Sequence, residues 1–195
     1  MPRAVVLLDG GYLSALLREE GTVVSKNLRT PLPLNHEAFC DHLLKPDEER
    51  VRTYYYTCMP YQSDPPTNDE KERYRRHSQF IYNLKRCNRF EVRLGRLKRV
   101  RDDFEQKRVD VLLSVDLVRM SWGKQIDRAI LVTADSDFVP AVQAAKEAGV
   151  ITKLAYSPDL PVNNELLEAF DERIEITKDL LNQCKLERET RTSHS

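Results

Sequence analysis

The chain has 195 residues, 41% hydrophobic and 32% charged, with 6 Gly and 10 Pro. That composition excludes a collagen-like, low-complexity or wholly disordered chain, and a domain of this length buries roughly 70% of its extended surface without staples. Lys plus Arg and Asp plus Glu each number 31, for a formal net charge of zero, and no apolar run reaches the ~18–20 residues a membrane span needs.

Residues 4–8 (AVVLL) form an apolar run that breaks at Asp9-Gly10-Gly11, as a buried strand entering a loop does. Asp9 interrupts the run too early for a signal peptide. Helices are predicted over 12–18 and 36–44, joined through a connection at 30–35 with two prolines. Residues 51–58 (VRTYYYTC) read as a strand and 59–67, with three prolines, as a loop. A long basic helix is predicted over 68–88 and a half-solvated strand over 90–98. Apolar residues recur at helical spacing over 109–122. A third apolar strand, 129–133, runs into Asp135-Ser136-Asp137, and a helix over 138–148 closes at Gly149. The remainder reads as a strand (150–156), a short helix (166–170), a last strand (174–176), a terminal helix (178–188) and a disordered tail (190–195). Strands alternating with helices predict an α/β fold with a mostly parallel, doubly wound sheet in one domain.

The zero net charge hides an asymmetry. Between Lys71 and Arg101 twelve Lys and Arg face two Glu, so that segment carries +10 and the rest of the chain −10. Segregation of this kind suits a phosphate-tracking surface, with Tyr61, Tyr74 and Tyr82 near enough in sequence to stack on bases. A solvated helix face is the plainer reading. The four cysteines (Cys40, Cys58, Cys87, Cys184) show no zinc-ligand spacing, so a reduced, cytoplasmic, zinc-free protein is expected. His36, His42 and His77 fall on predicted helices, where surface positions are expected.

Two apolar strands deliver carboxylates just past their C-terminal ends, Asp9 after the first and Asp135 and Asp137 after the third. In an open α/β sheet that is where ligands bind. Asp110 and Asp116 lie in the helix over 109–122, about 120° apart around its axis, so Asp110 is better placed to reach the strand ends. Converging carboxylates repel unless a cation neutralises them, and all-oxygen donors suit Mg²⁺ or Mn²⁺, which suggests metal-assisted phosphodiester hydrolysis and leaves open which phosphoryl reaction is run. Asp135 or Asp137 could instead simply cap the following helix, and Asp9-Gly10 could be an ordinary turn. A small-molecule phosphohydrolase would use the same carboxylates. No Walker A loop and no G-x-G-x-x-G fingerprint is present.

The strings LLDGGYL, KRVDVLLSVDLV, AILVTADSDFVPAVQAAKEAG and the later SPDL…AFDERIEI resemble the NYN domain, LabA-like branch, of the PIN-like nuclease superfamily. The resemblance implies a PIN-like (Rossmann-like) three-layer sandwich over residues 1–176, with 60–101 as a basic substrate-binding insert and 177–195 as a C-terminal helix and tail. It also implies a metal-dependent endoribonuclease acting on single-stranded RNA, with DNA as an alternative substrate. Carried over by position, Asp9, Asp110, Asp135 and Asp137 would bind Mg²⁺ or Mn²⁺, with Asp116 as a fifth catalytic carboxylate and Thr133, Ser136 and Lys107 in support. Arg75, Arg76, Arg93, Arg96, Lys98 and Arg99 are the expected nucleic-acid contacts. Tyr12 stands where many members carry Asn. A homodimer is expected from the family, and a non-catalytic binding module that retains the pocket is the alternative function.

Overall fold

A strand that is apolar on both sides needs cover on both faces, and β1 (Arg3–Asp9) has it: Ala4 through Leu8 are wholly buried. In the computed structural model residues 1–20, 22–25, 28–30, 32–100, 103–107 and 109–186 are described, those at 22–25, 28–30, 96–100 and 103–107 by their backbone alone. β1 runs parallel between β4 (Glu49–Cys58) and β7 (Arg128–Val132). The sheet continues through β5 (Phe90–Val100) on one side and through β8 (Ile151–Tyr156) and β9 (Glu172–Glu175) on the other. β6 (Asp103–Lys107) closes the β5 edge, in the order β6-β5-β4-β1-β7-β8-β9. Six of these strands are parallel, and β6 alone is antiparallel to its neighbour. A separate hairpin pairs β2 (Thr22–Ser25) with β3 (Leu28–Thr30).

Helices cover both faces, making three layers. Val5, Leu7, Ala129, Leu131 and Leu154 pack with α4 (Val109–Trp122), α5 (Val139–Glu147) and α6 (Asn164–Ala169). Val6, Leu8, Ile130 and Val132 pack with α1 (Gly10–Glu19), α2 (His36–His42), the end of α3 (Asn68–Leu84) and α7 (Lys178–Gln183). The PIN-like, Rossmann-like sandwich expected from the sequence is therefore the fold observed.

The chain builds outward from β1 through β4 to β5, then returns to β7 and builds the other way. The reversal lies between β1 and β7, the place in such sheets where the loops part and leave a crevice.

The differences from the sequence reading have local causes. Residues 60–101 supply α3 and β5, and β5 is a full member of the sheet, paired with β4 from Thr53↔Phe90 to Cys58↔Gly95. β5 then runs on beyond residue 98, because its last residues pair with β6 rather than β4. DFEQK is charged and unlike a strand, so β6 carries no sequence signal. α3 begins in a full capping box, Thr67 with Glu70. It stops at Leu84, four residues early, ahead of Arg89 in the left-handed region (φ 61°). A 3₁₀ turn, Ser136–Phe138, precedes α5, whose first turn holds Pro140. α7 ends at Gln183, with Leu181 and Cys184 in the core. The tail at 190–195 lies outside the described residues. Cys40, Cys58 and Cys184 are buried and all four cysteines are free.

Gly10 is set by close approach. A Cβ at this position would lie 2.5 Å from the Tyr56 carbonyl oxygen and 2.6 Å from Tyr55 Cε1, since α1 starts hard against β4. Gly11 is less confined, its Cβ meeting only Asp9 Oδ1 at 3.2 Å. Gly10→Ala is therefore expected to cost about 1–3 kcal/mol, or ~2–4 °C in Tm per kcal/mol, and Gly11→Ala clearly less. Thermal unfolding of the two variants checks the order.

Candidate active site

Asp9 ends β1 and is the N-cap of α1. Its Oδ1 accepts from the backbone N–H of Gly11 (2.9 Å) and Tyr12 (3.2 Å), satisfying two donors the helix would otherwise leave open. Its Oδ2 accepts from the Thr133 hydroxyl at 3.1 Å, across the reversal point of the sheet. The same hydroxyl oxygen accepts from the backbone N–H of Asp135 at 3.2 Å. Thr133 is wholly buried, so the ends of β1 and β7 are locked to one another through a single side chain. Asp135 in turn caps the 3₁₀ turn, its Oδ1 accepting from Asp137 N–H at 2.9 Å.

Four carboxylates share one field. Asp110, in the first turn of α4, is pushed upward in pKa by partial desolvation and then by the charges of Asp9, Asp135 and Asp137. Burial raises Asp9 more than its hydrogen bonds from Tyr12, Thr133 and Gly11 lower it, and the charge of Asp135 adds to the rise. Asp9, Asp110, Asp135 and Asp137 thus come together from β1, α4 and the loop after β7. Capping and clustering coexist: the geometry that caps a helix with Asp9 or Asp135 also aims the carboxylate past the strand end.

Asp116 does not join them. Nearly two turns along α4 and buried, it accepts from the Tyr56 hydroxyl at 3.1 Å. It also pairs with Arg93 Nε at 3.3 Å and with Arg119 at 3.2 Å. Burial and the Asp116 charge drive the Tyr56 phenol far up, so it remains a donor. Arg93, an expected nucleic-acid contact, is held by Asp116, by Glu91 (3.3 Å) and over the ring of Tyr54 (5.1 Å). The sequence shows Asp116 as a helix aspartate but not its partners, which arrive from β4 and β5. Tyr56 lies directly opposite Arg93 in the β4–β5 register, a pairing that its place in the Tyr54–Tyr56 run does not reveal.

Of the remaining expected residues, Ser136 opens the 3₁₀ turn. Arg75 and Arg76 project from α3, mostly exposed, both paired to Glu72. The side chains of Lys107, Arg96, Lys98 and Arg99 lie outside the described residues. Their backbones place them where β5 and β6 pair beyond the parallel part of the sheet. Tyr12, at the family's Asn position, accepts from the Ser157 backbone N–H at 2.8 Å and ties α1 to the end of β8. His36 is largely buried, edge-on to Tyr55 and Phe80, and desolvation lowers its pKa to about 4.

A Rossmann-like three-layer sandwich with carboxylates clustered at its reversal point defines a PIN-like domain. The NYN domain matches residues 3–177, and the chain belongs to the NYN domain family, whose members are generally nuclease-like. Among solved structures, a protein of unknown function from Vibrio parahaemolyticus shares the fold, with TM-score 0.64 and 22% identity over 91% of this chain and 94% of that one. A chain from Parabacteroides merdae aligns over 88% of this chain and 31% of its own, with 13% identity and TM-score 0.31, too loosely to bear on the fold. No curated protein matches the sequence. Among the described residues no helix is long and apolar enough to cross a membrane.

NYN and PIN-like nucleases usually use divalent metals. Among the described residues no group of three His, Cys, Asp or Glu is arranged to hold an ion. The donors nonetheless fit a hard cation. All four are carboxylates, and Mg²⁺ commonly keeps most of its waters and takes only one or two protein carboxylates.

Two consequences are measurable. A carboxyl whose folded pKa is raised favours the fold at pH below its unfolded value, and that advantage is lost as pH rises through the folded pKa. Asp110→Asn should therefore raise the Tm of the metal-free protein at neutral pH by about 1–3 °C, a gain that disappears on acidification below the carboxylate range. Asp116→Ala should act oppositely. It leaves the buried Tyr56 hydroxyl without its acceptor and takes one carboxylate from Arg93 and Arg119, and it is expected to cost about 1–3 kcal/mol, read as a fall in the urea midpoint.

Proposed function

We propose that this NYN domain is a divalent-metal-dependent ribonuclease of the LabA-like branch, cutting single-stranded RNA with Asp9, Asp110, Asp135 and Asp137. The observation that carries the reading is the carboxylate charge that converges on Asp110, whose pKa is raised by partial desolvation and then by Asp9, Asp135 and Asp137 together. Nothing in the fold requires such repulsion at one place, and a bound cation relieves it.

Asp9, Asp110, Asp135 and Asp137 would hold Mg²⁺ or Mn²⁺. When bound, such an ion supplies a water far more acidic than bulk water and offsets charge on the phosphate. The protein's own part is positional. Thr133 fixes Asp9 and the Asp135 backbone together, and the α1 cap fixes the Asp9 rotamer. Asp110, raised in pKa by partial desolvation and then by the charges of its neighbours, holds a proton more readily than an ordinary aspartate. Substrate needs cations of its own to approach an acidic cluster. The exposed Arg75 and Arg76 and the basic run at Arg96, Lys98 and Arg99 would supply them, and a single backbone enters a cleft among carboxylates more easily than a duplex. DNA is the competing polymer.

A binding module with a retained acidic pocket is the second reading, favoured by the lack of a three-ligand group among the described residues. One assay separates the two: end-labelled single-stranded RNA with Mn²⁺, with Mg²⁺ and with chelator, using native protein and identically purified Asp9→Asn and Asp135→Asn. The nuclease reading expects metal-dependent cutting that falls at least 100-fold in both variants, with RNA binding kept. Salt-sensitive binding without cutting by the native protein would establish the module instead.

A further inference from the structure

A second concavity lies on the α4 side of the sheet, away from the acidic cluster. It is a cleft of about 290 Å³ between the last turns of α4 and strands β4 and β5. That is the small end of the range for ligand pockets, with room for one planar ring system. Tyr54, Met120 and Ile126, all buried, make its apolar wall. Gln125 and the Arg52–Glu91 pair (2.7 Å) make its polar edges. Gln125 is exposed, and its amide has no hydrogen-bond partner among the described residues.

Two arginines overlook the cleft. Arg93 lies over the Tyr54 ring at 5.1 Å and pairs with Glu91 at 3.3 Å, which places it at the rim. Arg93 is 3.3 Å from Asp116 Oδ2, and Arg119 is 3.2 Å from Asp116 Oδ1. One buried carboxylate thus holds two guanidiniums, and both stay open, 36% and 50% exposed. Each guanidinium carries five N–H donors, and Asp116 Oδ2 is already shared with the Tyr56 hydroxyl. Asp116 and Glu91 therefore leave several donors unclaimed. Guanidinium edges fixed beside one another suit a phosphate, which accepts from them two N–H groups at a time.

Register connects this place to the acidic cluster. Asp9 pairs with Tyr56 and Tyr56 with Arg93, so the backbones of Asp9 and Arg93 lie two strand spacings apart, about 10 Å. From Asp110 to Met120 along α4 is about 15 Å. A single strand leaving the carboxylates in this direction meets the arginines first and the cleft second. Cations, an apolar wall and a free amide match the phosphate, ring face and ring edge of one nucleotide.

We propose that this cleft is a nucleotide subsite for the RNA strand, remote from the bond that is cut. The phosphate lies on Arg93 and Arg119, and the base against Tyr54 and Met120 with Gln125 at its edge. Asp116 is the positioning residue for both arginines, which accounts for it without placing it among the metal-binding carboxylates. The subsite rests on the reading of this domain as one that acts on RNA.

The test is an anisotropy titration of a labelled single-stranded RNA of about 12 nucleotides, in chelator so that no cutting intervenes, across a salt series. Arg119→Gln should weaken binding about 10-fold and make the slope of log affinity against log salt shallower by about 0.7, one phosphate contact on a single strand. Arg119→Lys, which keeps the charge but not the fork, should restore the slope and only part of the affinity. Gln125→Ala should weaken binding about 3-fold with the slope unchanged. Lys178→Gln removes an exposed cation in the opposite layer and should do neither, which separates a local contact from general loss of charge. A native slope in Arg119→Gln, or a loss no larger than that of Lys178→Gln, overturns the subsite and leaves the RNA reading standing. Native protein that does not bind the RNA overturns both.

Discussion

The site depends on the bond from Thr133 to Asp9 across the sheet's reversal point. β1 and β7 are neighbours in parallel register, Leu8 beside Val132, so the residues just past them emerge side by side with their helices leaving to opposite faces. A hydroxyl there reaches the Asp9 carboxylate at 3.1 Å and receives the Asp135 backbone at 3.2 Å. Without it, two loops that part at a crevice would have no reason to hold their carboxylates in one arrangement. With it, the Asp9 rotamer, the start of α1 and the turn carrying Asp135 and Asp137 become parts of one hydrogen-bonded unit. Gly10 serves the same geometry, because only the absence of a Cβ lets α1 begin against Tyr55 and Tyr56.

This arrangement works against stability at the place where it is most ordered. Asp9 and Asp110 are both raised in pKa, first by burial and then by neighbouring carboxylate charge, so these two are worse off ionised in the folded chain than in the unfolded one. The helix ends oppose this only in part: the α1 cap gives Asp9 two N–H donors, and Asp110 lies in the first turn of α4, where a negative charge is favoured. The Asp116 network shows how the same chain treats a carboxylate that serves structure. Asp116 has Tyr56, Arg93 and Arg119 around it, so burial is matched by two cations and a hydroxyl donor. Two aspartates six residues apart on one helix are thus solved in opposite ways, the first among other carboxylates and the second among cations.

The central strands were legible because burial on both faces leaves an unbroken apolar run. AVVLL and AILV needed no partner to be recognised, and α4's boundaries, 109 and 122, follow from its apolar spacing. The placement of Asp9, Asp135 and Asp137 followed from the strand ends alone. Elements whose residues are held by pairing rather than by pattern were not legible. β6 is DFEQK, a strand only because β5 lies beside it, and the β2–β3 hairpin is a four-residue run against a three-residue one. Residues 60–101 read as an addition because their charge drew the eye. Their topology, a crossover from β4 to β5 through α3, depends on long-range pairing that composition does not encode. Arg93 illustrates the cost. It sits in the basic run, yet its neighbours are Asp116, Glu91 and the Tyr54 ring, two of them more than twenty residues away.

α4 gathers these lessons in fourteen residues. Its first turn delivers a carboxylate to a repulsive cluster, its middle buries another among cations, and its inner face fills the core beneath β1 and β7. Its sequence could not be oriented in advance because it is apolar nearly all the way round, and amphipathicity is the signal that tells inside from outside. A helix of that composition belongs in a protein interior, but the outward strip of α4, Val111, Val115 and Trp122, meets solvent. The N-terminal end of that strip adjoins Asp110, so the packing of the inner face of α4 against β1 and β7 sets where that carboxylate stands.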